Sequence, residues 1–167
     1  MEYYARPFTT QDAKVVVTWP QDLEEVYRWS SDLFGKFPVD AEDLLAYYAV
    51  RDAVPYVFCE PENDAPIGHY FLRYSNEKHK TVRIGFVLLD PRFRGKGCGA
   101  EMVRGAVRQA FGDMGAEQVT LGVLAGNEAA LRCYESCGFT ERYRTLLTLG
   151  SEEYECIEME VRSQTAL

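Results

Sequence analysis

The sequence Arg94-Gly95-Lys96-Gly97-Cys98-Gly99 separates two segments of different periodicity. Before it, residues 81–89 are rich in β-branched and apolar side chains, a composition typical of a β-strand. After it, residues 99–111 carry apolar side chains with the spacing of an amphipathic helix. Alternate glycines let backbone N–H groups approach an anion without Cβ clashes, and the helix N-terminus adds partial positive charge. The turn therefore predicts a phosphate site.

Outward from this turn, hydrophobic periodicity predicts the other elements. The predicted strands are residues 56–59, 67–74, 81–89, 119–124, 139–149 and 153–161. The predicted helices are residues 12–19, 21–33, 41–51, 99–111 and 127–137. The strands at 67–74 and 81–89 are expected to form an antiparallel hairpin. This order of elements is typical of a mixed α/β, or α+β, domain with three layers.

The length of 167 residues matches one domain, since domains usually have about 100–200 residues. The hydrophobic content of 47% excludes a disordered chain. The longest apolar run is residues 44–50, whereas a membrane span needs about 20 residues, and the N-terminus lacks the apolar segment of a signal peptide. We predict a single domain over residues 1–161, a loose tail over 162–167, and a cytoplasmic location.

The chain is acidic, with a net charge of −8. This charge argues against nucleic acid as a partner, because neutralisation of phosphates supplies most of the affinity of nucleic-acid-binding proteins. An acidic surface favours cationic ligands such as amines, although solubility explains it equally well. We predict no metal site, because the five cysteines lack the spacing of metal ligands. They are Cys59, Cys98, Cys133, Cys137 and Cys156.

A nucleotide-binding enzyme is one alternative explanation of the glycine-rich turn. A P-loop requires G-x₄-G-K-[ST], and no Lys-Ser or Lys-Thr pair closes this turn. A dinucleotide fingerprint requires G-x-G-x-x-G in the first strand–helix unit. Here the pattern is G-x-G-x-G, and it follows an antiparallel hairpin in the second half of the chain. Spacing or context therefore argues against both nucleotide motifs.

The turn resembles the pyrophosphate motif of the GNAT superfamily of acyl-coenzyme A-dependent N-acetyltransferases, [Q/R]-x-x-G-x-[G/A]. A second GNAT motif, N-x-x-A-x-x-x-Y-x-x-x-G-F, follows in the family's order. The matching positions are Arg94, Gly97 and Gly99 in the first motif, and Asn127, Ala130, Tyr134, Gly138 and Phe139 in the second. The resemblance covers roughly residues 55–161, and the helical first third is similar only in kind.

The resemblance implies a GNAT fold, in which a mixed central sheet with a splayed parallel strand pair is flanked by helices. It implies acetyl-CoA as the co-substrate. The expected binding residues, of which the first three act through their backbone, are Val87, Leu88, Leu89, Arg94, Gly95, Lys96, Gly97, Cys98, Gly99, Ala100, Asn127, Ala130 and Tyr134. Asn127 would bind the pantetheine arm, or cap the helix, or both. Tyr134 would be the catalytic acid that protonates the departing thiolate; its alternative is a core aromatic beside Leu131.

The sequence departs from the family at the general base. The resemblance implies a carboxylate in many relatives at the position of Arg83, and in others on the following strand near Gly122; neither carboxylate is present here. We therefore expect either an acceptor amine of low pKa, which is easily deprotonated at neutral pH, or a base that acts through water. His69, Glu60 and Tyr70 on neighbouring strands are further candidates.

The resemblance predicts an enzyme that transfers an acetyl group from acetyl-CoA to a primary amine by direct attack in a ternary complex, without a metal. The alternative is a non-catalytic acyl-CoA-binding sensor or assembly domain. The expected partner is a small-molecule or peptide amine, with neither nucleic acid nor a membrane, and a homodimer is possible. In the family the acceptor site is built by segments that correspond to residues 28–39 and 147–153.

Overall fold

The computed structural model describes residues 2–76, 78 and 80–164, which form seven strands and five α-helices. The strands are β1 (Tyr4–Pro7), β2 (Val54–Cys59), β3 (Pro66–Asn76), β4 (Thr81–Leu89), β5 (Gln118–Leu124), β6 (Thr140–Leu149) and β7 (Glu152–Arg162). The helices are α1 (Thr10–Val16), α2 (Leu23–Ser30), α3 (Ala41–Ala49), α4 (Cys98–Gly112) and α5 (Glu128–Ser136). None of the helices in these ranges has the length and apolar character to cross a membrane.

The strands form one mixed sheet in the order β1-β2-β3-β4-β5-β7-β6. All neighbouring pairs are antiparallel except β4 and β5, which run parallel. The parallel pairing extends only from Thr81, opposite Gln118, to Arg83, opposite Thr120. Beyond that point β4 continues to Leu89 and β5 continues separately. The prediction of a mixed sheet with a splayed parallel pair is therefore confirmed.

Each face of the sheet is covered by a separate hydrophobic core. On one face, Met102 and Val103 of α4 pack with strand residues such as Ile84, and Tyr134 of α5 belongs to the same core. On the other face, α1, α2 and α3 cover the sheet. Their contribution to that core includes Val16, Val26, Trp29 and Leu44. The sheet is thus the middle of three layers, as the order of elements predicts.

Local sequence signals explain where the helices begin. Asp22 precedes α2 and its side chain accepts a hydrogen bond from the Glu25 amide at 2.8 Å, which is an N-cap. Asp40 precedes α3 in a capping box with Asp43. The glycine-rich turn precedes α4, with Gly97 as the N-cap in the left-handed conformation.

Several elements differ from the sequence predictions. The helix α1 begins two residues early, at Thr10, and ends three residues early, at Val16, and the bounds of β2, β3 and α3 shift by up to two residues. The strand β1 was not expected, since it has only four residues, most of them exposed; among the described strands it pairs with β2 at the edge of the sheet. The helix α2 ends at Ser30, three residues early, because Ser31 has a positive φ of 55°. The strand β7 includes Arg162, the first residue of the predicted tail, which pairs with Gln118. Residues 165–167 of that tail lie outside the described residues.

Candidate active site

A cavity of about 190 Å³ opens where β4 and β5 diverge. Both faces of the sheet contribute to it, since Tyr134 comes from the side of α5 and Trp29 from the side of α2. The aromatic residues in its wall are Tyr27, Trp29, Tyr47, Phe71, Phe86 and Tyr134. The charged residues in its wall are Arg28, Arg73 and Arg83. The parting of two parallel strands therefore produces an aromatic, cationic cavity at the centre of the fold.

The predicted phosphate turn lies between the end of β4 and the start of α4. Gly95 and Gly97 have φ of 73° and 84°, and no atom lies within 4 Å of where a Cβ would stand on either. The amides of residues 95–100 donate to no acceptor in the described part of the chain. Free amides at a helix N-terminus, with open space in front of them, are suited to an anion.

Two charged side chains of this turn already have partners. Arg94 donates to Glu25 of α2 at 2.5 Å and to the Leu89 carbonyl at 3.3 Å. The Lys96 ammonium lies 5.7 Å from the centre of the Phe93 ring. The backbone of the turn is thus more open to a ligand than the Arg94 side chain, which ties the turn to α2.

The edge of β4 that faces β5 is open beyond Arg83. Val87 lines the cavity, whereas the side chains of Leu88 and Leu89 pack against the two cores. The Phe86 carbonyl accepts a hydrogen bond from the Trp29 indole at 3.1 Å. An open strand edge that leads to free amides suits an extended amide-containing arm with phosphates at its end, because such an arm can pair as an added strand. Acetyl-CoA has this form, so these residues fit it.

Tyr134 is 7% exposed and packs against Phe139 with 6.2 Å between ring centres. Its hydroxyl makes no hydrogen bond with a described residue. Every side-chain nitrogen or oxygen that is fully buried in the described chain does have a hydrogen-bond partner, so the Tyr134 hydroxyl is not fully buried. The hydroxyl therefore opens into the cavity that the residue lines. Burial raises the pKa of Tyr134 above its ordinary value, which keeps the group protonated. The ring is thus part of the core while the hydroxyl can meet a ligand.

Asn127 and Ala130 lie at the start of α5. Asn127 occupies the N-cap position, but its side chain makes no capping hydrogen bond. The amide group is half-buried and is available to a ligand. Ala130 is partly buried and packs against the core beneath α4 and α5. Of the predicted residues on the turn, Cys98 is buried in the same core, so it can contribute only its backbone.

The two positions without a carboxylate contact each other. Arg83 forms a double hydrogen bond with Glu158 of β7, at 2.8 and 3.0 Å, across Gly122 of β5. A Cβ on Gly122 would stand 3.1 Å from the Arg83 guanidinium and 3.2 Å from the Glu158 carboxylate. Burial alone would lower the pKa of Arg83, but the hydrogen bonds and charge of Glu158 outweigh it and raise that pKa. An ion pair therefore fills the place where the resemblance leads one to expect a carboxylate base.

None of the three further base candidates lines the cavity. His69 is fully buried, and both ring nitrogens are engaged, one with the Tyr48 hydroxyl and one with the Tyr56 carbonyl, each at 2.8 Å. The Tyr70 hydroxyl donates a hydrogen bond to Gln109 of α4, on the face of the sheet opposite to that of His69. Glu60 follows β2, beyond its last paired residue. The structure therefore supports none of them as the base.

Sequence reasoning missed two residues of this site. Arg73 lies opposite Arg83 on β3, and Glu158 reaches Arg83 from β7. A charged residue in a largely apolar strand was the signal available for Arg73. Glu158 is one of five glutamates in β7, so no signal in the sequence singled it out. Of the expected acceptor segments, residues 28–39 contribute Arg28, Trp29, Ser30, Ser31 and Leu33 to the cavity wall. No residue of the segment 147–153 is in that wall.

A family model described as the acetyltransferase (GNAT) domain matches residues 4–140 of this chain. The chain belongs to the GNAT acetyltransferase family. The match begins at β1, so it includes the helical first third, where the motifs alone indicated similarity only in kind. The resemblance and the fold predicted from the two motifs are confirmed.

Named relatives of this GNAT domain are N-acetyltransferases. A thialysine N-epsilon-acetyltransferase of Bos taurus is 28% identical over 81 residues, which is 47% of this chain and 47% of that protein. The alignment thus spans about half the length of that curated relative. A spermidine N-acetyltransferase from Vibrio cholerae, solved with CoA and spermine, superposes with a TM-score of 0.81 at 16% identity over 98% of this chain and 97% of its own.

A GNAT-family acetyltransferase from Bacillus anthracis superposes with a TM-score of 0.79 at 16% identity, over 97% of this chain and 95% of its own. At such identities these two structures show that the fold is shared over nearly the whole chain. They leave the acceptor of this GNAT domain to be argued from its own cavity.

Proposed function

We propose that this chain transfers an acetyl group from acetyl-CoA to a primary amine by direct attack in a ternary complex. The observation that carries the proposal is the Tyr134 hydroxyl, which opens into the cavity between the diverging strands β4 and β5. The names of the relatives support an amine as acceptor, since thialysine, spermidine and spermine all carry primary amino groups. The cytoplasmic location and a homodimer stay predictions.

The chain offers acetyl-CoA two kinds of contact. The free amides of residues 95–100 and the N-terminus of α4 would hold the pyrophosphate. The open edge of β4 at Val87, together with the Asn127 side chain, would hold the pantetheine arm. Bound in this way, acetyl-CoA supplies an activated acetyl group as a thioester at the end of the arm.

In the proposed reaction the amine nitrogen forms a bond to the acetyl carbon, and the bond from that carbon to sulfur breaks. The amine loses a proton and the sulfur gains one. Tyr134 holds its proton at neutral pH, because burial raises its pKa, and its hydroxyl can donate that proton to the sulfur. The charge balance is complete without a metal ion or a redox partner.

The acceptor must lose its own proton before it attacks. No carboxylate stands in the cavity wall among the described residues, and Glu158 is engaged with Arg83. Deprotonation at pH 7 costs about 1 kcal/mol of free energy for an amine with a pKa near 8. The same step costs about 4–5 kcal/mol for a lysine-like amine with a pKa near 10.4. We propose that the amine enters neutral or passes its proton to water.

A thiol-release assay with acetyl-CoA and a panel of primary amines tests this function. Release of coenzyme A that depends on the amine, with the acetylated amine identified by mass spectrometry, is the expected result. Calorimetry on the same preparation measures the affinity for coenzyme A. Binding without turnover of any amine would instead identify a non-catalytic sensor or assembly domain.

A further inference from the structure

The charges in the cavity wall are opposite in sign to the charge of the protein. The chain carries a net charge of −8. In the part of the chain that the structure describes, the wall nevertheless contains three arginines and neither an aspartate nor a glutamate. A cavity walled by one sign of charge concentrates ligands of the other sign. This contrast suggests an anionic group on whatever enters the cavity.

Arg73 and Arg83 lie directly opposite each other on β3 and β4, so their side chains project from the same face of the sheet. Like charges in this position are unfavourable. Glu158 compensates Arg83 with two hydrogen bonds. Arg73 is half-buried and makes no ion pair or side-chain hydrogen bond with any described residue. An anion in the cavity would supply the missing partner of Arg73.

Arg28 provides a third guanidinium at the cavity, from α2. Its contact with Glu24 is long, at 3.6 Å, and joins two exposed side chains one helical turn apart. Such a pair contributes little energy in water. Arg28 can therefore turn from Glu24 toward a ligand at small cost, whereas Arg83 cannot leave Glu158 without leaving a half-buried carboxylate unpaired.

We propose that the acceptor amine carries a carboxylate, as an amino acid does, and that Arg73 and Arg28 bind it. This inference rests on the proposed acetyltransferase function and names its class of acceptor. The planar guanidinium donates two parallel hydrogen bonds that match the geometry of a carboxylate. A polyamine, which carries several positive charges and no negative one, would meet only repulsion from these arginines.

The same arginines compensate for the absent base. A positive charge near an amine disfavours its protonated form and lowers its pKa. An acceptor whose carboxylate is held by Arg73 therefore brings its amino group into a cationic cavity, where the neutral nucleophile is favoured. The wall can do this although Gly122 carries no carboxylate and Glu158 is held by Arg83.

Matched acceptors test the proposal, because each pair differs only in the carboxylate: L-lysine and cadaverine, L-ornithine and putrescine, L-alanine and ethylamine. The kcat/KM of each is measured by thiol release at saturating acetyl-CoA. In at least one pair we expect the carboxylate acceptor to be favoured by about tenfold or more, as for a hydrogen bond between charged groups. Arg73→Gln should reduce that preference to below about threefold.

Two further variants complete the experiment. Arg73→Lys keeps the charge and should keep part of the preference. Arg108→Gln removes an exposed arginine from α4, outside the cavity, and should leave the preference unchanged. If cadaverine, putrescine and ethylamine are turned over as fast as their carboxylate partners or faster, the acceptor class alone is overturned. The same holds if Arg73→Gln and Arg108→Gln change the preference for the carboxylate acceptor equally. Absence of turnover with all six amines would overturn the acceptor class, and absence of turnover with the whole amine panel, despite binding of coenzyme A, would overturn the proposed function as well.

Discussion

Arg83 on β4 and Glu158 on β7 join two strands that are not neighbours in the sheet. Their hydrogen bonds of 2.8 and 3.0 Å pass over Gly122 of β5, which leaves room for them because it has no side chain. The pair therefore ties β7 to β4 close to where β4 and β5 begin to diverge. The pair also affects the charge of the cavity wall: Glu158 neutralises Arg83, whereas the neighbouring Arg73 has no acidic partner among the described residues.

Removal of either partner should destabilise the fold. Arg83→Gln and Glu158→Gln each leave a half-buried charge without its partner, and we expect each to lower the free energy of unfolding by about 1–3 kcal/mol in urea titrations. The double variant should lose less than the sum of the two. The exposed pair of Arg144 and Glu155 is the control, and Arg144→Gln should lower the unfolding free energy by clearly less than either of these two variants, because water screens an exposed pair. Additive losses at Arg83 and Glu158 would show that the two are not coupled.

His69 should make the fold less stable in mild acid. Burial lowers the pKa of His69 to about 4, whereas an unfolded histidine has a pKa of about 6.5. Between these values the unfolded chain binds a proton that the folded chain does not, so stability is lost as the pH falls from about 6.5 to about 4. From pH 7 to pH 5 the unfolding free energy should fall by about 2 kcal/mol more in the wild type than in His69→Gln. Parallel pH curves for the two proteins would contradict this assignment.

The glycine turn should distinguish coenzyme A from its fragments. Gly97→Ala places a methyl group in the open space before the free amides, so coenzyme A should bind at least about tenfold more weakly in calorimetry. Pantetheine, which lacks the pyrophosphate, should bind both proteins alike. Gly115→Ala is the matched control, because Gly115 also has a positive φ and open space around it but lies after α4. Equal losses in both variants would assign the effect to backbone strain.

The elements next to the glycine turn could be predicted because each combines a clear period with clear ends. The strand β4 matches its prediction residue for residue, and α4 and α5 differ by a residue or two. The splayed pair followed from the family's motifs. By contrast, β1 has neither alternation nor length, and it is held by contacts with distant residues: its backbone pairs with β2, and Arg6 forms ion pairs with Asp12 and Asp64.

The charges of the site could not be predicted, because they arise from contacts between distant parts of the chain. Arg83 and Glu158 are 75 residues apart in sequence. Whether Arg73 has a partner depends on the register of β3 against β4, which a bulge near His69 shifts. The sequence showed that the usual carboxylates are absent at Arg83 and Gly122, and only the fold shows that an ion pair takes their place.

We propose that acetyl transfer in the cavity between β4 and β5 depends on the Tyr134 hydroxyl, and single-turnover kinetics of Tyr134→Phe test this proposal most directly. The variant keeps the ring and its packing against Phe139, so the affinity for acetyl-CoA and the unfolding free energy should change little. Loss of a general acid usually lowers a rate about 10²–10⁴-fold. Here the rate of acetyl transfer should fall about a hundredfold, at the lower end of that range, because a thiolate is already a good leaving group. A fall of less than about threefold, with a good acceptor and a folded variant, would contradict the role of Tyr134 as the acid.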